Sequence, residues 1–497
     1  MDLSYQLNIE IYQNCLQCLI CLFAFECNYL LNQNNNYQSN KEDNNEDNNS
    51  NNQNDQIQLP TNMLFQLLIK TDKIWLEKLS IILIQNYFFP LIGKDNQSLL
   101  KSAYSYLFSN ENYKPTTLSI QSLQIYLFLI THYENIEINP FLLVVENYFE
   151  LIKLFPNPPF FHLNCINLFD KLISQLDDCE SLILFYLFLN YNNEFKNYCF
   201  SLTDPSELVL SCLKGMYEST IKKENNLKAY LYTIILLKCT QSIGFLKNCC
   251  NKSILPPIWL TSRLFMELPL SDLTIHILIK YSTHYLNEPR DQFAYSIGMA
   301  TLLNILPYCN NLTSLVVQKL FRFIELINKK RIKLGQNIEK RREDKLIGIN
   351  NYEELICLLF HSILLNIQLQ KIQATNLIYG LLQNLNLIES FEKHPFIKQV
   401  TIRLKQFCKP FQLILDNNQD NNNSITVEEV TLKISNLLRT MIFDNELSKE
   451  MKLLHYEPSI ESQFYFKYLL WPDILLYSPI YFNDSIYLQL IEILWED

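Results

Sequence analysis

Seven glycines in a chain of 497 residues set the narrowest limit on what this sequence can fold into. Average usage of ~7% would supply about five times as many. Glycine provides the unusual backbone angles that tight β-hairpins, phosphate-binding loops and dinucleotide-binding turns require. The scarcity argues against those architectures. Leucine, isoleucine, asparagine and aromatic residues fill the space instead, in apolar runs separated by short polar breaks. With 48% hydrophobic and 19% charged residues the chain falls among folded proteins.

The apolar runs have helical spacing. In Val427, Val430, Ile434, Leu437, Leu438 and Met441 the steps place all six on one stripe of a helix. Thr426 and Glu429 have the spacing of a capping box at its start. Similar stripes run through Leu355–Leu369, Leu227–Leu237, Asp272–Ile279 and Thr313–Ile327, whereas strand-like alternation bounded by glycine turns is missing. The predicted fold class is all-α. A compact bundle and an α-solenoid both suit many helices joined by short breaks. Length favours the solenoid, because a single core stops growing at ~250–300 residues whereas stacked helix pairs continue. No fixed repeat period stands out, so the repeats are expected to be degenerate and armadillo- or HEAT-like.

Composition shifts divide the chain. Residues 1–31 read as an N-terminal helix and 32–60 as a disordered linker, with 12 asparagines between Asn32 and Asn54. Residues 61–415 read as the helical solenoid and 416–424 as a second asparagine-rich linker. Residues 425–497 read as a C-terminal helical capping region. The asparagine inserts are consistent with an AT-rich coding sequence and carry no functional reading. The stretch from Asp444 to Phe482 sets Phe464, Phe466, Tyr468, Trp471, Tyr477, Tyr481 and Phe482 around prolines 458, 472 and 479. The prolines break any helix there. The aromatic residues are costly to leave wet, so this tail is expected to fold back as an aromatic cap.

A net charge of −10 and a pI near 5.4 argue against a dedicated nucleic-acid binder. Fourteen cysteines come without a secretory signal: Met1-Asp2 is acidic, and no small-residue cleavage site follows the first apolar stretch. The thiols are read as reduced and mostly buried. Cys15 to Leu31 is the most apolar window, but Gln17, Glu26 and Asn28 interrupt it before it reaches the length of a bilayer span.

Three constellations could carry chemistry. Cys15, Cys18, Cys21 and Cys27 have a spacing superficially like a cluster-binding run, yet no glycine or proline between them turns the chain to converge thiolates. Cys357 and His361 lie one helical turn apart without an acidic orienter or oxyanion loop nearby, so a buried cysteine beside a hydrogen-bonded histidine is preferred to a nucleophile and base. The stretch from Lys319 to Lys345 holds ten Lys or Arg against four acids, a local +6 in an acidic chain. As structure it is a solvated helix end and loop. As function it is a contact for anionic lipid headgroups or a partner, centred on Lys329, Lys330, Arg331, Lys333, Lys340, Arg341 and Arg342. No catalytic, metal or cofactor residue is assigned, and no cofactor, nucleic acid or small-molecule substrate is expected.

Several segments, in order, resemble the dymeclin family of peripheral Golgi and trafficking proteins. They are Leu184–Leu210, with a Thr-Asp that opens the next helix, then Tyr230–Phe245, Asn287–Ile305, Leu377–Phe396 and the tail Asp444–Phe482. A weaker echo lies in the cysteine-rich N-terminal helix and in Asn139–Glu150. The resemblance covers about residues 130 to 482 and transfers no catalytic residue. It implies a cytoplasmic, non-enzymatic scaffold, peripherally associated with the Golgi apparatus, that binds protein partners and supports vesicle traffic. The chain departs from the family in beginning Met1-Asp2-Leu3 rather than with a Met-Gly myristoylation signal, and in beginning late relative to it. The competing readings are a generic α-solenoid adaptor or transport receptor outside the secretory pathway, a thiol or metal enzyme built on the N-terminal cysteines and, last, a nucleic-acid binder.

Overall fold

A computed structural model describes residues 68, 70–88, 117–131, 139–154, 163–222, 226–260, 267–287, 291–336, 342–392, 394–416, 426–441 and 453–456. The N-terminal helix with its four cysteines, the 32–60 linker and most of the aromatic tail lie outside the described residues. The chain divides into two compact units. The described residues before Asn197 belong to the first, and Asn197–Glu457 forms the second.

The first unit is all helix among its described residues: α1 (Lys73–Phe88), α2 (Thr117–Thr131), α3 (Pro140–Glu146), α4 (Tyr148–Leu154), α5 (Cys165–Ser174), α6 (Cys179–Tyr191) and the start of α7 (Asn193–Phe200). α2 and α6 carry little amphipathic asymmetry because they are apolar all round. Accordingly Leu123 to Ile130 and Leu182 to Leu189 are nearly all buried, as a central helix requires. An aromatic cluster of Tyr148, Phe149, Phe185, Phe188 and Phe195 fills the space between α4, α6 and α7. Its Tyr148–Phe188 and Phe185–Phe195 pairs are edge-to-face, both at 5.3 Å.

The second unit contains α8 (Ser206–Lys222), α9 (Asn226–Cys239), α10 (Ile243–Cys250), α11 (Leu270–Asn287), α12 (Gln292–Ile305), α13 (Ser314–Gln336), α14 (Arg342–Gln370), α15 (Thr375–Gln383), α16 (Leu385–Glu389), α17 (Pro395–Asp416) and α18 (Val427–Thr440). A two-residue ladder, β1 (Ser253–Ile254) with β2 (Leu268–Pro269), is antiparallel and closes the loop before α11. This short pairing is absent from the strictly helical sequence reading. The stripe segments in 227–237, 272–279, 313–327 and 355–369 lie in α9, α11, α13 and α14 or at their first turns. In α18 the capping box is present, with Glu429 N–H donating to Thr426 Oγ1 at 3.3 Å and Thr426 N–H to Glu429 Oε2 at 3.2 Å. Of the α18 stripe, Val430, Ile434 and Leu438 are buried while Val427 in the first turn is exposed. α17 runs one residue into the segment expected to be linker, ending at Asp416.

Packing in this unit follows a regular order. α8 and α9 pack on each other, α11 and α12 likewise, then α13 with α14 and α15 with α17. Between pairs, first helices meet first helices (α8 with α11, α11 with α13, α13 with α15), and second helices meet second helices (α9 with α12, α12 with α14, α14 with α17). Two layers result. Two of the described glycines sit where helices approach closely. A Cβ on Gly215 of α8 would lie 2.1 Å from the Tyr232 ring of α9, and one on Gly380 of α15 would lie 2.3 Å from Val317 of α13. Neither close approach would survive any other residue there.

With no described glycine at positive φ, helix ends are closed by other means. Buried asparagines close many of them. Asn139 donates to the Leu129 and Ile130 carbonyls at the end of α2, at 2.9 and 2.8 Å, while its Oδ1 accepts from the first amides of α3. Asn192 joins the Val145 and Glu146 carbonyls of α3 to the Phe195 amide of α7 in the same way. Asn366, inside the apolar face of α14, donates to the Leu306 and Cys309 carbonyls beyond α12 at 2.7 and 2.9 Å. Each carboxamide satisfies groups that are too buried for water to reach.

Asn366→Leu keeps the side-chain volume and removes both donations. It is expected to lower unfolding free energy by about 2 kcal/mol, the cost of leaving buried carbonyls unpaired. Urea titration followed by circular dichroism checks this, and an unchanged midpoint would show that the carbonyls find other partners.

Candidate functional site

The basic run resolves into two faces of one helix. α13 is strongly amphipathic: Val316, Val317, Leu320, Phe321, Phe323, Ile324 and Ile327 are buried along one side. At roughly 100° per residue, Lys319, Arg322, Lys329, Lys330 and Lys333 fall within an arc of about 100°. Arg322, Lys329 and Lys333 are exposed, and Lys319 and Lys330 are half-buried.

Arg331 corrects the sequence reading. It sits about 150° from the middle of that arc, and it is 7% exposed. Its Nη1 lies 3.0 Å from Glu353 Oε1 of α14, and its Nε and Nη2 both donate to Asn328 Oδ1. Its Nη2 is 2.9 Å from Nε2 of His394, and the Phe391 ring lies 6.0 Å away. Burial and then the guanidinium hold the His394 pKa below its usual value. Arg331 therefore ties α13 to α14 and to the start of α17 and faces no ligand. Lys340 and Arg341 lie outside the described residues, as does the side chain of Arg342.

The outward arc gains one cation, Lys280, and one neutral imidazole, His276, that the linear sequence does not show. Lys319 Nζ is 3.0 Å from Nδ1 of His276 on α11. An ammonium only donates, so the facing imidazole nitrogen accepts and His276 is neutral. Burial, then Lys319 and Lys280, push the His276 pKa down to about 4. Lys319 itself is lowered by burial, then by Lys280 and Arg322. The Lys280 Nζ also lies 3.9 Å from the centre of the Tyr217 ring. Lys280 and Arg322 thus act on Lys319 as like charges, after burial. Glu325 neutralises part of the arc further along, 2.7 Å from Lys329. Beside Lys330 and Lys333 the surface opens into a cleft of about 670 Å³, whose walls include Tyr285, Tyr295, Leu355 and Leu358.

The other candidates have structural surroundings. Burial and nearby Glu354 push the Cys357 thiol up, favouring the protonated form and not an activated nucleophile. Ten cysteines lie among the described residues, none of them joined in a disulfide, and all are buried except half-buried Cys357. Among the described residues no cluster of His, Cys, Asp or Glu is arranged to hold a metal ion. Cys15, Cys18, Cys21 and Cys27 lie outside them. Among the described residues one run, Asn351–Gln383, is long and apolar enough to cross a bilayer by composition, but half of its apolar window is buried inside the protein. Asn366 at its centre donates to neighbouring carbonyls, as a core helix would.

Residues 2–469 match the family described as "Dymeclin: Dyggve-Melchior-Clausen syndrome protein". Relatives include dymeclin of Xenopus laevis, 25% identical over 273 residues, which are 52% of this chain and 40% of the relative. Dymeclin of Drosophila melanogaster is 22% identical over 339 residues, 65% of this chain and 48% of the relative. Dymeclin of Dictyostelium discoideum is 24% identical over 257 residues, 50% of this chain and 27% of the relative. The matched stretches therefore span about half, or less, of these curated relatives. No solved structure matches the chain.

Two outcomes separate the two faces of α13. Arg331→Ala strands the carboxylate of Glu353, whose side chain is 12% exposed, and is expected to cost about 3–5 kcal/mol. Lys333→Ala on the exposed arc stays within about 0.5 kcal/mol; chemical denaturation of both variants checks the contrast. For His276 the folded pKa of about 4 lies below the ordinary value of 6.5. Its contribution is therefore complete above the unfolded value and is lost as pH falls towards 4. Between pH 7 and pH 4.5 the native chain should lose about 2 kcal/mol more than His276→Gln. Parallel acid slopes in urea melts of the two proteins would refute this assignment.

Proposed function

The chain belongs to the dymeclin family, and from that premise we propose that it is a non-enzymatic scaffold, cytoplasmic and peripherally associated with the Golgi apparatus, that supports Golgi organisation and intracellular vesicle traffic. The observation that carries the membrane part of this reading is the outward arc of α13. Lys319, Arg322, Lys329, Lys330 and Lys333 share one face, with Lys280 beside its start. Each basic side chain held near an anionic leaflet adds about 1 kcal/mol, so such an arc supports reversible attachment without insertion. The attachment would fall with salt, because exposed charges act only within a Debye length of about 8–10 Å.

The scaffold part rests on the helix pairs of the second unit. Their order of contact, first helices on first and second on second, supports an α-solenoid with degenerate armadillo- or HEAT-like repeats. Such arrays expose long surfaces for protein partners. The capping role of the 425–497 region is supported at α18, which packs on α15 with Val430, Ile434 and Leu438 inward.

The test pairs a cell and a vesicle measurement. A variant with Lys319, Arg322, Lys329, Lys330 and Lys333 changed to Gln keeps Arg331 and the fold. The native chain should float with phosphatidylserine vesicles at low salt and give a Golgi-type punctate signal when tagged at its C-terminus; the variant should do neither. Punctate signal in both proteins, with no vesicle binding by either, would remove the basic arc as the membrane contact. Diffuse signal for the native chain would overturn the Golgi reading.

A further inference from the structure

Asn304 differs from the other buried asparagines in what its carboxamide meets. It lies at the end of α12 and is 1% exposed. Its Oδ1 accepts the Leu454 N–H at 2.8 Å and its Nδ2 donates to the Leu454 carbonyl at 2.9 Å. Asn139, Asn192 and Asn366 address the ends of helices. Asn304 reads the N–H and C=O of a single residue of a short segment 150 positions away. Those two groups point to the same side only in extended backbone, as in the paired positions of a β-ladder.

The receptor side is prepared independently of that segment. Thr240 is buried and donates its hydroxyl to the Leu237 carbonyl at 2.7 Å, so its oxygen is left to accept. The second Nδ2 hydrogen of Asn304 goes to that oxygen at 3.3 Å, which sets which way the carboxamide faces. Oδ1 and one N–H are thereby aimed at whatever lies alongside. Two residues after Leu454, Tyr456 is 9% exposed, with Lys238 Nζ of α9 located 5.6 Å from the ring centre. The intervening His455 is exposed. A half-buried, exposed, buried order over Leu454, His455 and Tyr456 is compatible with an extended strand.

We propose that the surface formed by Asn304, Thr240 and Lys238, where α9 meets α12, is a recognition site for an extended peptide that places an aromatic residue two positions after the residue paired with Asn304. Residues 453–456 are its resident ligand, and a partner protein carrying the same pattern exchanges with them. The ligand class follows from the chemistry. One free backbone N–H and one C=O must be offered together, so proline at the paired position is refused, and an aromatic ring must lie under the Lys238 ammonium. Affinity comes from main-chain hydrogen bonds and selectivity from the ring, the usual division in recognition of extended peptides. The inference deepens the scaffold reading by naming a partner class. It is tested on purified protein, so its outcome is separate from where the chain resides in a cell.

The test uses the full-length chain and a fluorescent peptide spanning Met451 to Pro458. In a chain carrying Leu454→Pro and Tyr456→Ala the resident segment loses both anchors, and the peptide should bind at least about tenfold more tightly than to the native chain. Adding Asn304→Leu should reduce that binding about tenfold or more, as should N-methylation of Leu454 in the peptide, since each removes hydrogen bonds to buried groups. A peptide with Tyr456→Ala should also bind more weakly. Failure of the peptide to bind the opened chain, with an intact thermal transition, would overturn the proposal. Binding indifferent to the N-methyl group would do so as well, and that arm leaves the receptor unaltered.

Discussion

Helix ends that finish inside the protein are the constraint on which the rest of this structure depends. The last carbonyls of a helix have no partner within it, and burying them unpaired costs more than any single packing contact returns. Many helices close such ends with a residue, usually glycine, in the left-handed conformation. Here no described glycine adopts positive φ; Asn311 and Lys371 do instead. Ends are met by carboxamides, some from the next helix and some from helices distant in sequence: Asn139 on α2, Asn192 on α3 and Asn366 beyond α12, while Asn376 donates to the Leu312 carbonyl in the loop before α13 at 2.9 Å. A carboxamide that caps one helix while starting another fixes the register between them. This is how a unit of stacked pairs can be specific without glycine turns.

The same fact explains what the sequence disclosed and what it hid. Helices were legible because apolar spacing in α9, α13, α14 and α18 repeats over several turns, and the Thr426–Glu429 box is a local signal. Asn304 and Asn366 were not, because within an apolar stripe a polar residue looks like a flaw, and its partner is 57 to 150 positions away. Asparagine is so frequent in the linker segments that its buried members do not stand out by composition. The scarcity of glycine is enough to argue against turn-rich folds. The positive role of the glycines, letting α8 meet α9 and α15 meet α13, becomes visible only with Tyr232 and Val317 in place opposite them.

The basic run shows a different limit. Counting charge along the sequence merges residues that a helix separates, and it groups Arg331 with its neighbours although the helical period alone places it among Ile324, Ile327 and Asn328. Periodicity could have found that. It could not have found Lys280, which joins the field from α11, or the neutral His276 that accepts from Lys319 across 43 positions. Burial first, and then the neighbouring like charges, lower the pKa values of Lys319 and His276. Glu325 offsets part of the charge at Lys329.

The two layers of the second unit give this arrangement a consequence. The inward side of α13, marked by Arg331, faces Glu353 of α14 and His394 before α17, so the cationic arc points away from that layer. Its companions His276 and Lys280 are on α11, in the same layer as α13. The backbone-reading carboxamide of Asn304, on α12, and the Lys238 that covers Tyr456, on α9, belong to the other layer. Stacked pairs thus place charge and peptide recognition on separate sets of helices, joined by buried ion pairs and carboxamides that tolerate little sliding. If the proposed contact of α13 with an anionic leaflet holds, it uses one layer and leaves the contacts of the other free to exchange. That division requires only two layers whose registers are locked, which the buried asparagines and Arg331 supply.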